Sequence, residues 1–326
     1  RWRAGPFQGS LMSATVPVGR TVQVKVPATT ANLGPGFDTL GMALALYDEL
    51  SATVVASGTS RVTVHGVGEA SVPTDSSNLV LQSMAATFAH FGVDTPIVEL
   101  HCTNRIPHGS GMGSSGAAIV GGIMLAKGLL EGIVEIDAHG LLTLATTLEG
   151  HPDNVAPALF GGLSIAWMTD AGPQHKKLTV HRGVSLLVAV PRDITMSTKS
   201  ARDLQPETVP HEDAVFNLSR SALLIAALIQ SPELLHAATE DKLHQDYRAE
   251  AMPETNALVH RLRGEGFAAV VSGAGPSVLV LTDDPVERAR AASIVDSTTD
   301  TAWDCLMLAV DFKGATVVVL PDGEGF

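Results

Sequence analysis

The residues best suited to chemistry lie between 106 and 117, where the chain reads IPHGSGMGSSGA. Gly109, Gly111, Gly113 and Gly116 are interleaved with Ser110, Ser114 and Ser115, just ahead of an apolar helical run. Glycines open backbone conformations closed to other residues and leave no Cβ in the path of a bulky anion. The helix that follows turns unpaired N–H groups and a partial positive charge toward the same spot. The serine hydroxyls add donors or a metal ligand. These residues suit a phosphate cradle, and a flexible glycine-serine turn is the competing reading of the same letters. Neither common nucleotide fingerprint applies. The segment lacks G-x-x-x-x-G-K-[ST], and although Gly111, Gly113 and Gly116 have G-x-G-x-x-G spacing, Pro107 to Ser110 separate them from any strand.

Three further groups carry functional side chains. Glu149 ends a predicted helix, where the macrodipole disfavours a carboxylate and a cation would compensate; a solvated glutamate at a frayed end is the alternative. A hard divalent ion takes one or two protein oxygens plus phosphate oxygens, and a loop serine could be the second protein ligand. His151, Asp153 and Asn154 follow within five residues, placing a proton acceptor and hydrogen-bond donors beside that carboxylate. PATTANLGPGFDTLG, residues 27–41, presents Asn32 and Asp38 from a Gly/Pro-rich loop after a strand. An acid and an amide there suit an amino-acid or amino-alcohol ligand, with Asp38 available to an ammonium. Arg202 and Arg248 could clamp a carboxylate through paired N–H donors; singly each reads as a surface charge. The histidines are scattered, with no H-x-x-x-H spacing and no Cys/His cluster, so no zinc site is expected.

The elements that must position these groups follow from periodicity. Alternation predicts strands at 21–26, 49–56, 60–64 and 96–102, and helical spacing predicts helices at 78–91, 113–130 and 137–149. Gly150 closes the last of these, and His151-Pro152 opens another with proline in its first turn. A strand at 161–168 and a polar hairpin loop at 170–177 lead to a boundary near 170–184. The second half reads as an α+β layer: a strand from 185, helices at 212–230, 232–240, 253–265 and 285–295, and strands at 268–272, 277–281, 303–310 and 315–320. SGAGPS, residues 272–277, reads as a tight hairpin turn. No internal repeat is visible.

Length and composition set the outer limits. A chain of 326 residues with 45% hydrophobic content can bury a large core and suits two domains. A net charge of -13, from 21 Lys and Arg against 34 Asp and Glu, argues against nucleic acid or an anionic membrane as partner. No apolar run is long enough to span a bilayer, and residues 1–20 lack a signal-peptide centre and read as a tail. Two cysteines, Cys102 and Cys305, are too few for a disulfide framework and fit a reducing, cytoplasmic setting.

With these segments in order, the chain resembles the GHMP kinase superfamily. The likeness covers nearly everything after residue 20: PATTANLGPGFDTLG, IPHGSGMGSSGA, EGHPDNVAPALFGG at 149–162 and SGAGPSVLVL at 272–281 are all similar to family motifs. The wording NLGPGFD and HPDNVAP resembles the homoserine branch. The resemblance implies a two-domain α+β fold: a tail at 1–20, a ribosomal-protein-S5-like ATP-binding domain at 21–180 and a ferredoxin-like domain at 181–326. It implies transfer of the ATP γ-phosphoryl to the side-chain hydroxyl of L-homoserine, on the route to threonine, in a cytoplasmic enzyme that is a homodimer. Carried onto this sequence, Pro107, His108, Gly109, Ser110, Gly111, Met112, Gly113, Ser114, Ser115, Gly116 and Ala117 hold the phosphates, with Asn78 near the adenine. Ser115, or Ser114, and Glu149 bind Mg²⁺. Asn32, Asp38, His151, Asn154, Arg202 and Arg248 form the amino-acid pocket, with Thr198 near the reacting hydroxyl and either Asp153 or Asn154 facing it. The competing functions are another GHMP kinase acting on mevalonate, shikimate or a sugar, and a non-catalytic nucleotide-binding regulator. Arg202, Arg248 and NLGPGFD favour an amino acid over a sugar, and a mere binder would not need metal and acceptor groups together.

Overall fold

The computed structural model describes residues 15–196, 201, 203–298 and 300–321. Thr198 and Arg202, expected in the substrate pocket, lie outside the described residues.

In chain order the elements are β1 (Thr21–Ala31), β2 (Leu40–Val54), β3 (Arg61–Gly66), α1 (Leu79–His90), β4 (Val98–Asn104), α2 (Ser114–Leu129), α3 (Ala138–Glu149), α4 (Pro152–Phe160), β5 (Leu163–Thr169), β6 (Gly172–Leu178) and β7 (Ser185–Pro191). They continue with α5 (His211–Ile229), α6 (Leu235–Ala238), α7 (Pro253–Gly264), β8 (Ala268–Val271), β9 (Val278–Thr282), α8 (Pro285–Asp296), β10 (Trp303–Leu308) and β11 (Thr316–Val319). Among the described residues no helix is long and apolar enough to cross a membrane.

The strands form two sheets, one of seven strands built around the order β11-β1-β2-β4-β3 and one of four in the order β10-β7-β9-β8. β2 is long enough to serve two neighbours on one side. Its residues 40–42 pair with β5 and its residues 49–54 pair with β4, while β1 runs along the other side of both. The β1–β2 register slips between Pro27 and Ala28. Proline has no N–H for the ladder, so the irregularity sits where that donor is missing. β3 and β4 are parallel, joined through α1 as a crossover of that kind requires.

The four-stranded sheet explains why its sequence is apolar without a break. In β7, Leu186, Val188 and Val190 join the large core, whereas Leu187 and Ala189 join a second core with α7 and α8. β8 and β9 divide in the same way, with Val270 and Leu279 on one side and Ala269 and Val280 on the other. Side chains alternate across a strand, so a sheet buried on both faces needs apolar residues at every position. One face of this sheet and the first unit therefore share a single core.

Four expectations are corrected. Residues 170–177 are mostly strand rather than loop: β6 pairs with β5 from Leu163↔Leu178 to Thr169↔Gly172. Its polar sequence, GPQHKKL, is that of an edge strand, which keeps charge on its surface and so hides from a search for apolar alternation. The strand near 315–320 does not complete the second layer. β11 returns to the first sheet and pairs with β1, from Val22↔Val319 to Lys25↔Thr316. The loop read across 27–41 is shorter, because β1 extends through Ala31 and β2 starts at Leu40. The helix expected at 232–240 is a 3-10 turn, Pro232–Leu234, followed by the single turn of α6. The SGAGPS segment is, as read, the turn between the antiparallel strands β8 and β9.

Candidate active site

A cavity of about 380 Å³ opens between the two sheets and is bordered by the glycine loop, the 32–38 loop, the start of α4 and the 273–275 turn. The glycine loop enters it from β4. Asp48 on β2 accepts the backbone N–H groups of Arg105 (2.6 Å) and Ile106 (3.0 Å), which ties the end of β4 to its neighbour. Burial of that carboxylate raises its pKa, and the two N–H donors act in the opposite sense.

Gly109, Gly111 and Gly113 all have positive φ, at 58, 79 and 70°. At Gly111 a Cβ would stand 2.1 Å from the Ser272 carbonyl oxygen, and at Gly113 it would stand 2.0 Å from Thr29 Oγ1. The loop therefore needs glycine twice over, for its backbone angles and for close packing. Gly116 differs. It lies within α2, and a Cβ there would meet Asn154 Cβ at 3.5 Å, an ordinary contact. Gly113 is the N-cap of α2 and supplies no side-chain hydrogen bond. The first-turn N–H groups of α2 thus face the cavity without a capping side chain, the arrangement that receives an anion.

Not every residue of the motif faces a ligand. Met112 is fully buried in the large core, and its carbonyl accepts the Thr29 N–H at 3.1 Å. Its side chain packs the loop against the core, so what it could offer a phosphate is its backbone. Ser110 Oγ turns back onto the Pro107 carbonyl at 2.8 Å, so these two residues brace the loop through their own bond. A second cavity, of about 260 Å³, lies beyond the loop and is bordered by Asn78, His108, Ala117 and the same two serines, Ser114 and Ser115. The start of α2 therefore stands between two cavities. Asn78 is at the wall of the outer one, but its amide caps α1: Oδ1 accepts the Val80 N–H at 3.0 Å and Nδ2 donates to the Pro73 carbonyl at 2.8 Å.

Ser115 Oγ donates to Glu149 Oε2 at 2.9 Å. Gly150, at φ 92°, ends α3 directly after that carboxylate and lets the chain reverse into α4. Glu149, at the negative end of α3, and Ser115, at the positive end of α2, thereby meet beside the loop. A hydroxyl and a carboxylate next to a phosphate cradle form a hard-oxygen set that fits Mg²⁺.

α4 opens with Pro152, and Asp153 and Asn154 occupy its first turn. They face different partners. Asn154 Oδ1 accepts from Thr29 Oγ1 at 2.9 Å and lies against Gly113 and Gly116 at the head of α2. With its oxygen so engaged, the amide offers N–H donors to a ligand. Asp153 is buried, with Oδ1 3.0 Å from His151 Nδ1, and His151 Nε2 lies 3.8 Å from Asp38 Oδ2. Asp38, His151 and Asp153 bring one ligand atom each to within 4.8 Å of one another, a set matched to an ammonium group or another cation.

The 32–38 loop reaches this cluster through left-handed backbone, with φ of 70° at Asn32, 52° at Leu33, 83° at Gly34 and 53° at Asp38. Asn32 holds it in place: Oδ1 accepts the Asp38 N–H at 3.0 Å, and Nδ2 donates to the Gly273 carbonyl at 2.8 Å. One donor and one acceptor site of that amide thus position the loop, and Asn32 lines the cavity. Arg248, expected singly to be a surface charge, is buried and lines the same cavity. Its Nε donates to the Ala201 carbonyl at 3.2 Å, and its guanidinium lies 5.4 Å from the centre of the Phe37 ring.

Several contributors escaped the sequence reading. Thr29 belongs to the PATTANLGPGFDTLG segment, yet nothing local distinguishes it from Thr30. Ser272 Oγ is within reach of Gly111 O (2.8 Å) and Thr30 Oγ1 (2.9 Å), so the hairpin turn clamps the glycine loop. The glycine-rich SGAGPS wording was the available signal for it. His244 and Met196 had none.

Comparison with known proteins places this geometry in context. The chain matches GHMP kinases N terminal domain over residues 78–162 and GHMP kinases C terminal over residues 224–299. It is 67% identical over 313 residues to homoserine kinase of Clavibacter michiganensis subsp. michiganensis, covering 96% of this chain and 99% of that one. It is 68% identical over 311 residues to homoserine kinase of Leifsonia xyli subsp. xyli, covering 94% and 96%. The crystal structure of homoserine kinase from Cytophaga hutchinsonii shares the fold, with a TM-score of 0.79 at 24% identity over 96% of this chain and 100% of that one.

Proposed function

The chain belongs to the homoserine kinases of the GHMP superfamily, and from that premise we propose how its residues divide the transfer of the ATP γ-phosphoryl to the side-chain hydroxyl of L-homoserine. The single observation that carries the assignment is the meeting of Ser115 and Glu149 at 2.9 Å beside the uncapped head of α2. The phosphates lie along the backbone N–H groups of Gly109 to Ser115, with the nucleoside directed to the cavity that Asn78, His108 and Ala117 border. Ser115 and Glu149 hold Mg²⁺, which supplies charge neutralisation on the phosphate oxygens when bound.

The amino acid occupies the other side of the loop. Asp38, with His151 and Asp153 beside it, receives the ammonium, and Arg248 receives the carboxylate. Asn154, adjoining the head of α2, directs the acceptor hydroxyl toward the γ-phosphoryl. An amide is not a base. Phosphoryl transfer through a loose transition state depends on alignment and charge stabilisation more than on early proton removal, so an amide donor suffices there. As the hydroxyl oxygen bonds to the γ-phosphorus, the bond from that phosphorus to the ADP oxygen breaks and ADP leaves; Asp153, next to Asn154 in the cavity wall, takes up the hydroxyl proton.

The cavity chemistry supports an amino acid over mevalonate, shikimate or a sugar, because acidic residues and a buried arginine line the same cavity. The test is ADP release with L-homoserine, L-serine, mevalonate and shikimate compared at equal concentration. Turnover is expected with L-homoserine well above the others, and none with L-homoserine would refute the proposal.

A further inference from the structure

Residue 244 lies outside every motif of the chain, yet its side chain has no exposed surface and contacts both the 32–38 loop and Arg248. His244 Nε2 is 2.7 Å from the Gly34 carbonyl oxygen, and Nδ1 is 3.3 Å from Arg248 Nη1. A guanidinium can only donate and a carbonyl can only accept. Nδ1 is therefore the acceptor and Nε2 carries the hydrogen, which defines a neutral ring with a single tautomer. The ring stacks on Phe37 at 4.9 Å between centroids and 15° between planes, and Arg248 lies over the same phenyl ring.

The surroundings hold this arrangement. Gly34 has φ 83°, and a Cβ there would stand 2.7 Å from the Thr239 carbonyl oxygen, so the loop lies flush against the segment that carries His244. The next carbonyl, that of Pro35, accepts from Asn217 Nδ2 at 2.9 Å and also from Ser221 Oγ. The charged groups facing the ring are Asp241, whose Oδ2 is 3.6 Å from Nε2, Arg248, and Asp38 farther along the loop. Asp241 already accepts the backbone N–H groups of Leu243, His244 and Gln245.

We propose that His244 is a positioning residue for the amino-acid substrate: it joins Arg248 to the 32–38 loop and so sets the separation between the groups that grip the carboxylate and the ammonium. The residue type follows from the task. A carboxylate would orient Arg248 equally well but would set a negative charge against it, whereas a neutral imidazole accepts the hydrogen bond and adds no charge. Burial, with Arg248 adjacent, lowers the pKa of the ring and keeps it in this neutral form.

The inference rests on the assignment of Arg248 to the substrate carboxylate, and a double-mutant cycle separates the two. H244Q keeps a donor for Gly34 and loses the ring acceptor for Arg248; H244N does the reverse. Alone, H244Q is expected to raise KM for L-homoserine about tenfold, the worth of one hydrogen bond to a charged group, with KM for ATP within about twofold. In an R248A background, where both partners are already uncoupled, H244Q adds less than about twofold. H244N, which keeps the acceptor for Arg248, is expected to raise the homoserine KM less than about fivefold with the KM for ATP unchanged, a readout that stands if H244Q does not fold; an equal change in both KM values would overturn the proposal. Full additivity of H244Q and R248A in kcat/KM, or an equal change in the KM for ATP, would make His244 a packing residue and overturn the proposal. An unchanged homoserine KM in R248A alone would instead remove the carboxylate assignment on which it depends.

Discussion

Gly111 and Gly116 stand five residues apart in one glycine-rich segment, and the same substitution to alanine is expected to have opposite effects at them. At Gly111 the backbone has φ 79°, and the new Cβ would lie 2.1 Å from the Ser272 carbonyl oxygen and 2.9 Å from the Gly275 nitrogen, both backbone atoms. Left-handed backbone costs a residue with a Cβ roughly 1–2 kcal/mol. The clash adds to this, because ordinary contact begins at 3.4 Å and neither partner can rotate away, so the loop must move by more than an ångström. A misplacement of about 1 Å costs on the order of 100-fold in rate when catalysis depends on alignment. G111A is therefore expected to lose on the order of 100-fold in kcat/KM for ATP, with a lower melting temperature. At Gly116 the backbone is helical and the nearest atoms are Asn154 Cβ at 3.5 Å and Val155 Cγ1 at 3.6 Å, so alanine fits. Replacing glycine inside a helix gains about 1 kcal/mol, which for a chain of this size raises the melting temperature by about 2 °C. Activity in G116A should stay within about threefold of the parent, since helix propensity and not the site is altered. The measurements are coupled ADP release across an ATP series and thermal unfolding of both variants. Near-parental kinetics in G111A, or equal losses in both, would refute the assignment of which glycines form the cradle.

Three further outcomes follow from the same geometry. Glu149→Gln removes the charge opposite Ser115 and should lower turnover on the order of 100-fold, as expected when a Mg²⁺ ligand is lost; a Mg²⁺ titration should show weaker half-saturation, and an unchanged titration would sink the metal assignment. Asp38→Asn should raise the homoserine KM about 10- to 100-fold, the range for a hydrogen bond between charged groups of about 1.5–3 kcal/mol, while leaving the KM for ATP alone. His244 and His175 both have pKa values lowered by burial, assisted by Arg248 and Lys177 respectively. The folded state therefore resists their protonation and the unfolded state does not, so their contribution to stability is complete above about pH 6.5 and is lost as pH falls. Melting temperature should drop from pH 7.5 to 5.5, with a shallower slope in H244Q; an identical slope would show that His244 does not carry the linkage.

Much of the site was legible because its signals are local. Glycine at 111 and 113, Glu149 before Gly150, and Pro152-Asp153-Asn154 at a helix start each state a backbone requirement within a few residues, and all stand where those requirements predict. Periodicity located most helices and the apolar strands for the same reason. Edge strands carried no such mark. β6 is polar along its length, and β11 is a strand whose partner, β1, lies nearly three hundred residues earlier, so neither its sheet nor its place at the edge could be read from its own sequence.

The amino-acid sequence by itself determined which chemical groups are present and which of them share a turn or a helix end. Tertiary structure decided which of them meet. It turned Met112 into the core, gave Asn32 to Gly273 and Ser272 to Gly111, and buried Arg248 behind His244. Each of these pairings except the last joins residues more than one hundred and fifty positions apart. Local backbone preference acts over a few residues, whereas contacts between distant segments depend on how two sheets pack around one core, and that information is spread over the whole chain.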